Sequence, residues 1–149
     1  MSRRVALTCA AVCCLAMVSG CVPASPSPAT YEDKAALTLG SALSEVATAR
    51  MALGQLDRGH MFRTTTLVLF RYSEDNLGTA SKAFDELNPP PTDDRLHNRT
   101  TTVLSDAQDL LAQARIAVER DRVSEYPGLL KDLTRMHARL DTFEKQVGS

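Results

Sequence analysis

The chain has 149 residues, of which 44% are hydrophobic and 23% charged, and its formal net charge at pH 7 is −1. This near balance of charge argues against nucleic-acid binding, which calls for a strongly basic surface. All four cysteines lie within the first 21 residues, so the remainder of the chain has no thiol with which to form a disulfide.

The first twenty residues have the pattern of an export signal. Arg3 and Arg4 form a basic start, and residues 5–18 are an apolar stretch of fourteen residues. A helix that spans a bilayer needs about 20 apolar residues, so this stretch is too short to do so. Residues 1–20 are therefore predicted to be a signal peptide that is cleaved, with general secretion favoured over twin-arginine export.

The tetrapeptide Val18-Ser19-Gly20-Cys21 begins with the last residue of this apolar stretch. It resembles the lipobox of bacterial lipoproteins. The resemblance implies cleavage between Gly20 and Cys21 and acylation of Cys21, which becomes the new N-terminus and takes up palmitate. It also implies a protein that is lipid-anchored on the extracytoplasmic face of the bacterial cell membrane. The alternative is an ordinary secretory signal followed by an incidental cysteine.

Residues 21–30 are rich in proline, serine and alanine. Proline-rich segments favour an extended polyproline II conformation of about 3.1 Å per residue. We expect a linker here that holds the following domain away from the membrane.

From residue 31 onward, apolar residues recur at spacings of three and four, which is typical of amphipathic helices. Helix-breaking residues divide this part of the chain into four similar lengths. The predicted helices run from an N-cap at Thr30 to a left-handed turn at Gly59, from Met61 to Leu87, from Thr92 or Asp93 to Asp121, and from Ser124 onward. Short connections make an all-α, antiparallel up-down-up-down four-helix bundle the expected fold of residues 31–149.

The second predicted helix contains a segment with competing strand propensity. The run Thr64 to Phe70 is rich in residues that favour strands. We predict a helix because the apolar stripe continues with helical spacing as far as Leu87.

The sequence offers no motif for a known reaction. It lacks a phosphate-binding Gly-x-x-x-x-Gly-Lys loop, a Gly-x-Ser-x-Gly elbow, a Cys-x-x-Cys pair and a His-Glu-x-x-His pair. His60, His97 and His137 fall at different levels of the expected bundle, so a shared metal site is not expected. We predict a protein that is not an enzyme, with no catalytic residue, no metal and no cofactor.

Three apolar residues of the second predicted helix lie opposite its buried stripe. Met61, Val68 and Tyr72 stand at positions i, i+7 and i+11. Exposed apolar strips often mark protein contacts, so this strip is a candidate surface for a protein partner or for a homodimer. Crowding against a neighbouring helix, or a different helical register, are the alternatives.

Together these features predict a lipid-anchored helical-bundle protein of the cell envelope that recognises another protein or has a structural role. It would contact the membrane through lipidated Cys21. The alternative is a carrier of a small ligand or metal in the bundle interior. A carrier needs polar groups on the inward stripes, and the sequence has very few there.

Overall fold

A computed structural model describes residues 27–148. The predicted lipidation and cleavage site at Gly20 and Cys21 lies outside these residues. Within them the structure is helical and contains no strand, which confirms the all-α prediction. The helices are α1 (Pro28–Asp57), α2 (Arg63–Asp85), α3 (Asp94–Glu119) and α4 (Tyr126–Val147), with a short 3-10 turn (Val123–Glu125) before α4.

The first helix begins earlier than the sequence indicated. Ser27 is the N-cap, and its hydroxyl accepts a hydrogen bond from the backbone N–H of Thr30 at 3.3 Å. Pro28 occupies the first helical position, where the missing N–H of proline has no partner to lose. The predicted N-cap at Thr30 was therefore wrong, and the last three residues of the predicted linker belong to α1.

The second helix is shorter at both ends than predicted. It runs from Arg63 to Asp85, and the segment with strand propensity, Thr64 to Phe70, is helical throughout. Gly59 has the left-handed conformation predicted for it, with a φ of 72°, which ends α1 and leads into a turn. Met61 lies in that turn and not on α2.

The core is built around α1, which packs against each of the other three helices. These helix contacts fit a bundle. Each helix contributes a stripe of apolar side chains that are completely shielded from solvent, and full burial of one such side chain contributes about 1.5–3 kcal/mol. The stripes include Leu39, Val46 and Leu53 of α1, Phe70 and Leu77 of α2, Leu104 and Leu111 of α3, and Leu133 and Leu140 of α4.

Candidate functional site

Exposed apolar side chains are distributed unevenly over the bundle. Neither α3 nor α4 exposes a large one, whereas α1 and α2 each expose two. Two more, Phe62 and Val123, lie in the turns before α2 and α4. The four on the helices and their exposed fractions are Leu37 (73%), Met51 (52%), Val68 (52%) and Tyr72 (66%). One side of the bundle therefore differs chemically from the rest.

Two residues of the predicted apolar strip belong to this side. Val68 and Tyr72 are one turn apart on α2 and both face solvent. Met61 is half-buried and does not share their helical face, because α2 begins at Arg63. The neighbouring Phe62 is 82% exposed and was not identified from the sequence.

Between Ala35 and Leu56, the solvent-facing side of α1 consists mainly of small or apolar residues, whereas Asp33, one turn before Leu37, is a charged residue exposed on the same side. Between Ala35 and Leu56 the only charged residues are Glu45 and Arg50, and the helical period places neither of them in line with Leu37 and Met51. We call this surface the α1–α2 face. It comprises Leu37, Gly40, Ser41, Ser44, Thr48 and Met51 of α1 with Val68 and Tyr72 of α2.

Two hydroxyl groups of the α1–α2 face are already hydrogen-bonded within α1. The Ser41 hydroxyl donates to the carbonyl oxygen of Leu37 at 3.0 Å, and the Thr48 hydroxyl donates to that of Ser44 at 3.0 Å. Burial of a polar group is costly when it loses its hydrogen bond. Because these two groups keep theirs, another surface can cover them at little cost.

An open groove of about 640 Å³ borders the face where α1 meets α4. At Gly40 a Cβ atom would lie 3.2 Å from Oε1 of Glu144, so the absence of a side chain leaves room for the Glu144 carboxylate of α4 to lie against α1. The groove is lined by Asp33, Ala36, Leu37, Gly40, Ser41, Ser44 and Glu144. It gives the α1–α2 face a depression beside the exposed Leu37.

Charged networks link the other helices. Arg115 of α3 donates from Nε to both carboxylate oxygens of Glu74 on α2, at 2.8 and 2.9 Å, and from Nη1 to Glu119 at 2.9 Å. These hydrogen bonds raise the pKa of Arg115, and hydrogen bonding to Glu74 has the largest effect. Between α3 and α4, Arg139 donates to Asp106 at 2.7 Å. These ion pairs give the α2–α3 and α3–α4 sides a charged surface, and α2 also exposes Arg71, Asp75 and Lys82 beside Val68 and Tyr72.

A polar cluster joins α1, α2 and α3 near the start of α1. The hydroxyl of Tyr31, a completely buried residue, shares a hydrogen bond with Nδ1 of His97 at 2.7 Å. The imidazole stacks on Phe84 with 5.6 Å between ring centroids, and its Nε2 lies 3.8 Å from the carboxylate of Asp85. The cluster therefore fixes the relative positions of three helices.

Burial in the first place, and then the nearby carboxylates of Asp93, Asp85 and Asp94, raise the pKa of Tyr31 to about 12. In an unfolded chain the tyrosine hydroxyl has its ordinary pKa of 10.0. Between these two values the unfolded state binds fewer protons than the folded state, so rising pH favours unfolding.

We expect Tyr31 to contribute about 2–3 kcal/mol of stability below pH 10 that is lost as the pH rises to about 12. Denaturant unfolding of the wild type and of Tyr31→Phe, at pH values on both sides of 10, tests this. The variant should be less stable at neutral pH and should lose less stability in alkali. A parallel decline of both proteins would rule out Tyr31 as the cause.

The histidines do not come together. His60 is exposed in the turn after α1, His97 belongs to the cluster with Tyr31, and His137 lies half-buried on α4. Among residues 27–148, no three His, Cys, Asp or Glu side chains are grouped so as to hold a metal ion. Over the same residues, no helix combines the length and apolar character needed to cross a membrane.

The chain was compared with models of protein families, with curated proteins and with solved structures. None of the three comparisons found a match.

Proposed function

We propose that this chain is a bacterial lipoprotein that recognises another protein of the cell envelope through its α1–α2 face. It is not an enzyme. The lipobox-like tetrapeptide Val18-Ser19-Gly20-Cys21 supports the anchored, extracytoplasmic location. The observation that carries recognition is the placement of all four large apolar side chains exposed on the helices of residues 27–148 on the α1–α2 face.

The proposed architecture is an antiparallel up-down-up-down bundle. In such a bundle, residues late in one helix meet residues early in the next. The contacts between consecutive helices support this arrangement, because in each pair of helices the contact further along one helix is the contact nearer the start of the other. They are Tyr31 with Phe84 and Glu45 with Asn76 for α1 and α2, Glu74 with Arg115 and Asp85 with His97 for α2 and α3, and Asp106 with Arg139 and Phe143 with Arg99 for α3 and α4.

The tether suits a protein that presents a side face. Residues 21–27 connect the lipidated cysteine to α1, and at about 3.1 Å per residue an extended segment of this length spans roughly 20 Å. Such a reach leaves the α1–α2 face accessible to proteins of the envelope.

Energetics favour use of the face as a contact surface. Burying an exposed residue such as Leu37 or Met51 contributes about 1.5–3 kcal/mol. Tyrosine is enriched among the residues that contribute most to protein interfaces, and Tyr72 lies on this face. Burial of all four apolar side chains would offset a substantial part of the entropy cost of association.

Site-specific photo-crosslinking in living cells tests recognition. A photoreactive phenylalanine analogue is placed at Met51 or Val68 of the full chain. Matched controls carry it at Thr102 of α3 or Thr134 of α4, which are also exposed. We expect discrete protein adducts from the first two positions and none from the controls. Equal labelling from all four positions, or no adduct from any, would contradict the proposal.

A further inference from the structure

A second groove lies between α3 and α4 and shares no residue with the α1–α2 face. Its volume is about 480 Å³, within the range of about 300–1,000 Å³ for sites that bind small molecules. Its floor is apolar, because Val103 of α3 and Phe143 of α4 line it and are almost completely buried. Arg99 and Arg139 also line it, and within residues 27–148 no carboxylate does. The groove therefore combines an apolar floor with positive charge.

The groove continues to the end of the bundle where α1 begins. Arg99 and Phe143 also line an adjoining depression of about 280 Å³, together with Arg95 and Glu32. One carboxylate and two guanidinium groups therefore line this end. Glu32 follows Pro28 by four residues, so it lies only about 6 Å along α1 from the start of the helix. We call the two depressions together the α3–α4 groove.

An aromatic ring holds Arg99 in the α3–α4 groove. The central carbon of its guanidinium group lies 4.5 Å from the centroid of the Phe143 ring. Arg139 differs, because it donates to Asp106 at 2.7 Å and its charge is balanced within the bundle. A guanidinium group stacked on a ring keeps its planar set of N–H donors in a defined orientation, so little freedom is lost when they bind an anion. Arg99 is thus arranged in advance to bind one.

The positions of Arg95 and Arg99 on α3 are unfavourable without an anion. They lie one turn apart on the same face, and like charges at this spacing destabilise a helix. Because α3 begins at Asp94, Arg95 is also in the first turn, where the positive end of the helix dipole disfavours a cation. Asp93 and Asp94 lie close enough to Tyr31 to raise its pKa, and neither lines the groove. An anion in the groove would offset both effects.

We propose that the α3–α4 groove binds a terminal phosphate group. The guanidinium groups of Arg95 and Arg99 donate to the phosphate oxygens, and the rest of the ligand lies on the apolar floor formed by Val103 and Phe143. The site does not rest on the proposed function. Only one of its two sources of phosphate does, because a membrane lipid is within reach when Cys21 anchors the chain, whereas a soluble phosphate ester needs no anchor.

A terminal phosphate fits two neighbouring guanidinium groups better than a carboxylate does. One guanidinium group in a bidentate pair takes both oxygens of a carboxylate. A terminal phosphate has three acceptor oxygens and a charge of about −1.5 to −2 at pH 7. Residues one turn apart have Cβ atoms about 5–6 Å from each other, so the long side chains of Arg95 and Arg99 can reach the same phosphate group.

The charged side chains that flank the groove do not oppose this assignment. On α4, Lys145 donates to Asp141 at 2.8 Å, so these two charges balance each other. At the end of the groove, Glu32 stands against both Arg95 and Arg99. The groove therefore keeps an excess of positive charge, and electrostatic complementarity favours an anionic ligand.

Protection of arginine from phenylglyoxal, a reagent that modifies guanidinium groups, tests this proposal. The full chain is reconstituted in phosphatidylcholine vesicles with or without phosphatidic acid, a lipid whose head group is a terminal phosphate. Glycerol phosphate, added to the phosphatidylcholine vesicles, presents the same group in solution. Peptide mass spectrometry reads the labelling of each arginine. Arg120, exposed at the other end of α3, is the internal control.

We expect phenylglyoxal to label Arg99 about tenfold more slowly when the phosphate source is at about ten times its dissociation constant, since about one site in ten is then empty. Labelling of Arg120 should not change. Protection by phosphatidic acid alone would identify a lipid as the ligand, and protection by glycerol phosphate would show that the phosphate group suffices. No protection of Arg99 by either source, or equal protection of Arg120, would overturn the proposal.

Ala138→Trp separates binding in the groove from simple closeness to the membrane. Ala138 is exposed and lines the groove, so tryptophan fills the space and leaves every arginine in place. This variant should lose the protection of Arg99. Thr134→Trp, one turn earlier on α4 and outside the groove, should keep it. Protection that persists in Ala138→Trp would overturn the groove as the site.

The same experiment separates this site from the lipid anchor. A full chain that does not float with phosphatidylcholine vesicles would count against lipidation of Cys21. Glycerol phosphate would still decide on the groove, because it reaches Arg99 from solution.

Discussion

Replacing Cys21 with serine is expected to abolish the incorporation of radioactive palmitate into this protein. Serine lacks the sulfur that would carry the diacylglycerol group. Stable membrane attachment takes at least two acyl chains, because a single chain binds only marginally. The variant should therefore be unlabelled, and either soluble or retained as an uncleaved precursor.

Cys14→Ser is the matched control for this experiment. Cys14 lies in the apolar stretch that is expected to be removed, so its loss should leave palmitate labelling unchanged. Labelling that persists in Cys21→Ser, or that disappears in Cys14→Ser, would show that the lipid is attached elsewhere.

Replacing Phe70 with alanine is expected to lower the free energy of unfolding by about 3–5 kcal/mol, since truncation of a buried aromatic leaves a cavity and loses its transfer energy. Phe70 is completely buried in the core. A domain of this size has a total stability of about 5–15 kcal/mol, so the loss is a large part of the whole. Urea unfolding followed by circular dichroism measures it.

Val68→Ala provides the comparison on the same helix. Val68 is two residues from Phe70 but is 52% exposed, and surface substitutions usually change stability by within about 0.5 kcal/mol. Similar losses of unfolding free energy in the two variants would mean that α2 does not bury Phe70 and expose Val68. A small effect of Val68→Ala on stability would also mean that any effect of this variant on binding does not come from unfolding.

The fold was predictable because its main signals are local. Apolar residues at helical spacing identified four helices, and Gly59 marked the end of the first. The start of α1 was misjudged because Ser27 and Thr30 are both good N-caps. The sequence alone does not show that Ser27 is the N-cap and that Pro28 occupies the first position of the helix.

The candidate site was only partly predictable. Val68 and Tyr72 stood out because they lie opposite the apolar stripe of an amphipathic helix. Leu37 and Met51 were missed because α1 is apolar or small on nearly every side, so its periodicity does not distinguish the buried face from the exposed one. The scarcity of charge between Ala35 and Leu56 was the available signal.

The cluster around Tyr31 could not have been found from the sequence. Tyr31 and His97 are separated by 66 positions, and their hydrogen bond depends on how α1 and α3 pack. Local patterns identify which residues are apolar, but they do not say which polar residues meet once the helices assemble.

Intact mass spectrometry of the mature protein, extracted from the membrane with detergent, tests most directly the proposal that this is a tethered recognition protein. The account predicts that residues 1–20 are absent and that the N-terminal residue is Cys21 carrying covalent lipid. A chain that retains residues 1–20, or that begins at an unmodified residue, would contradict it.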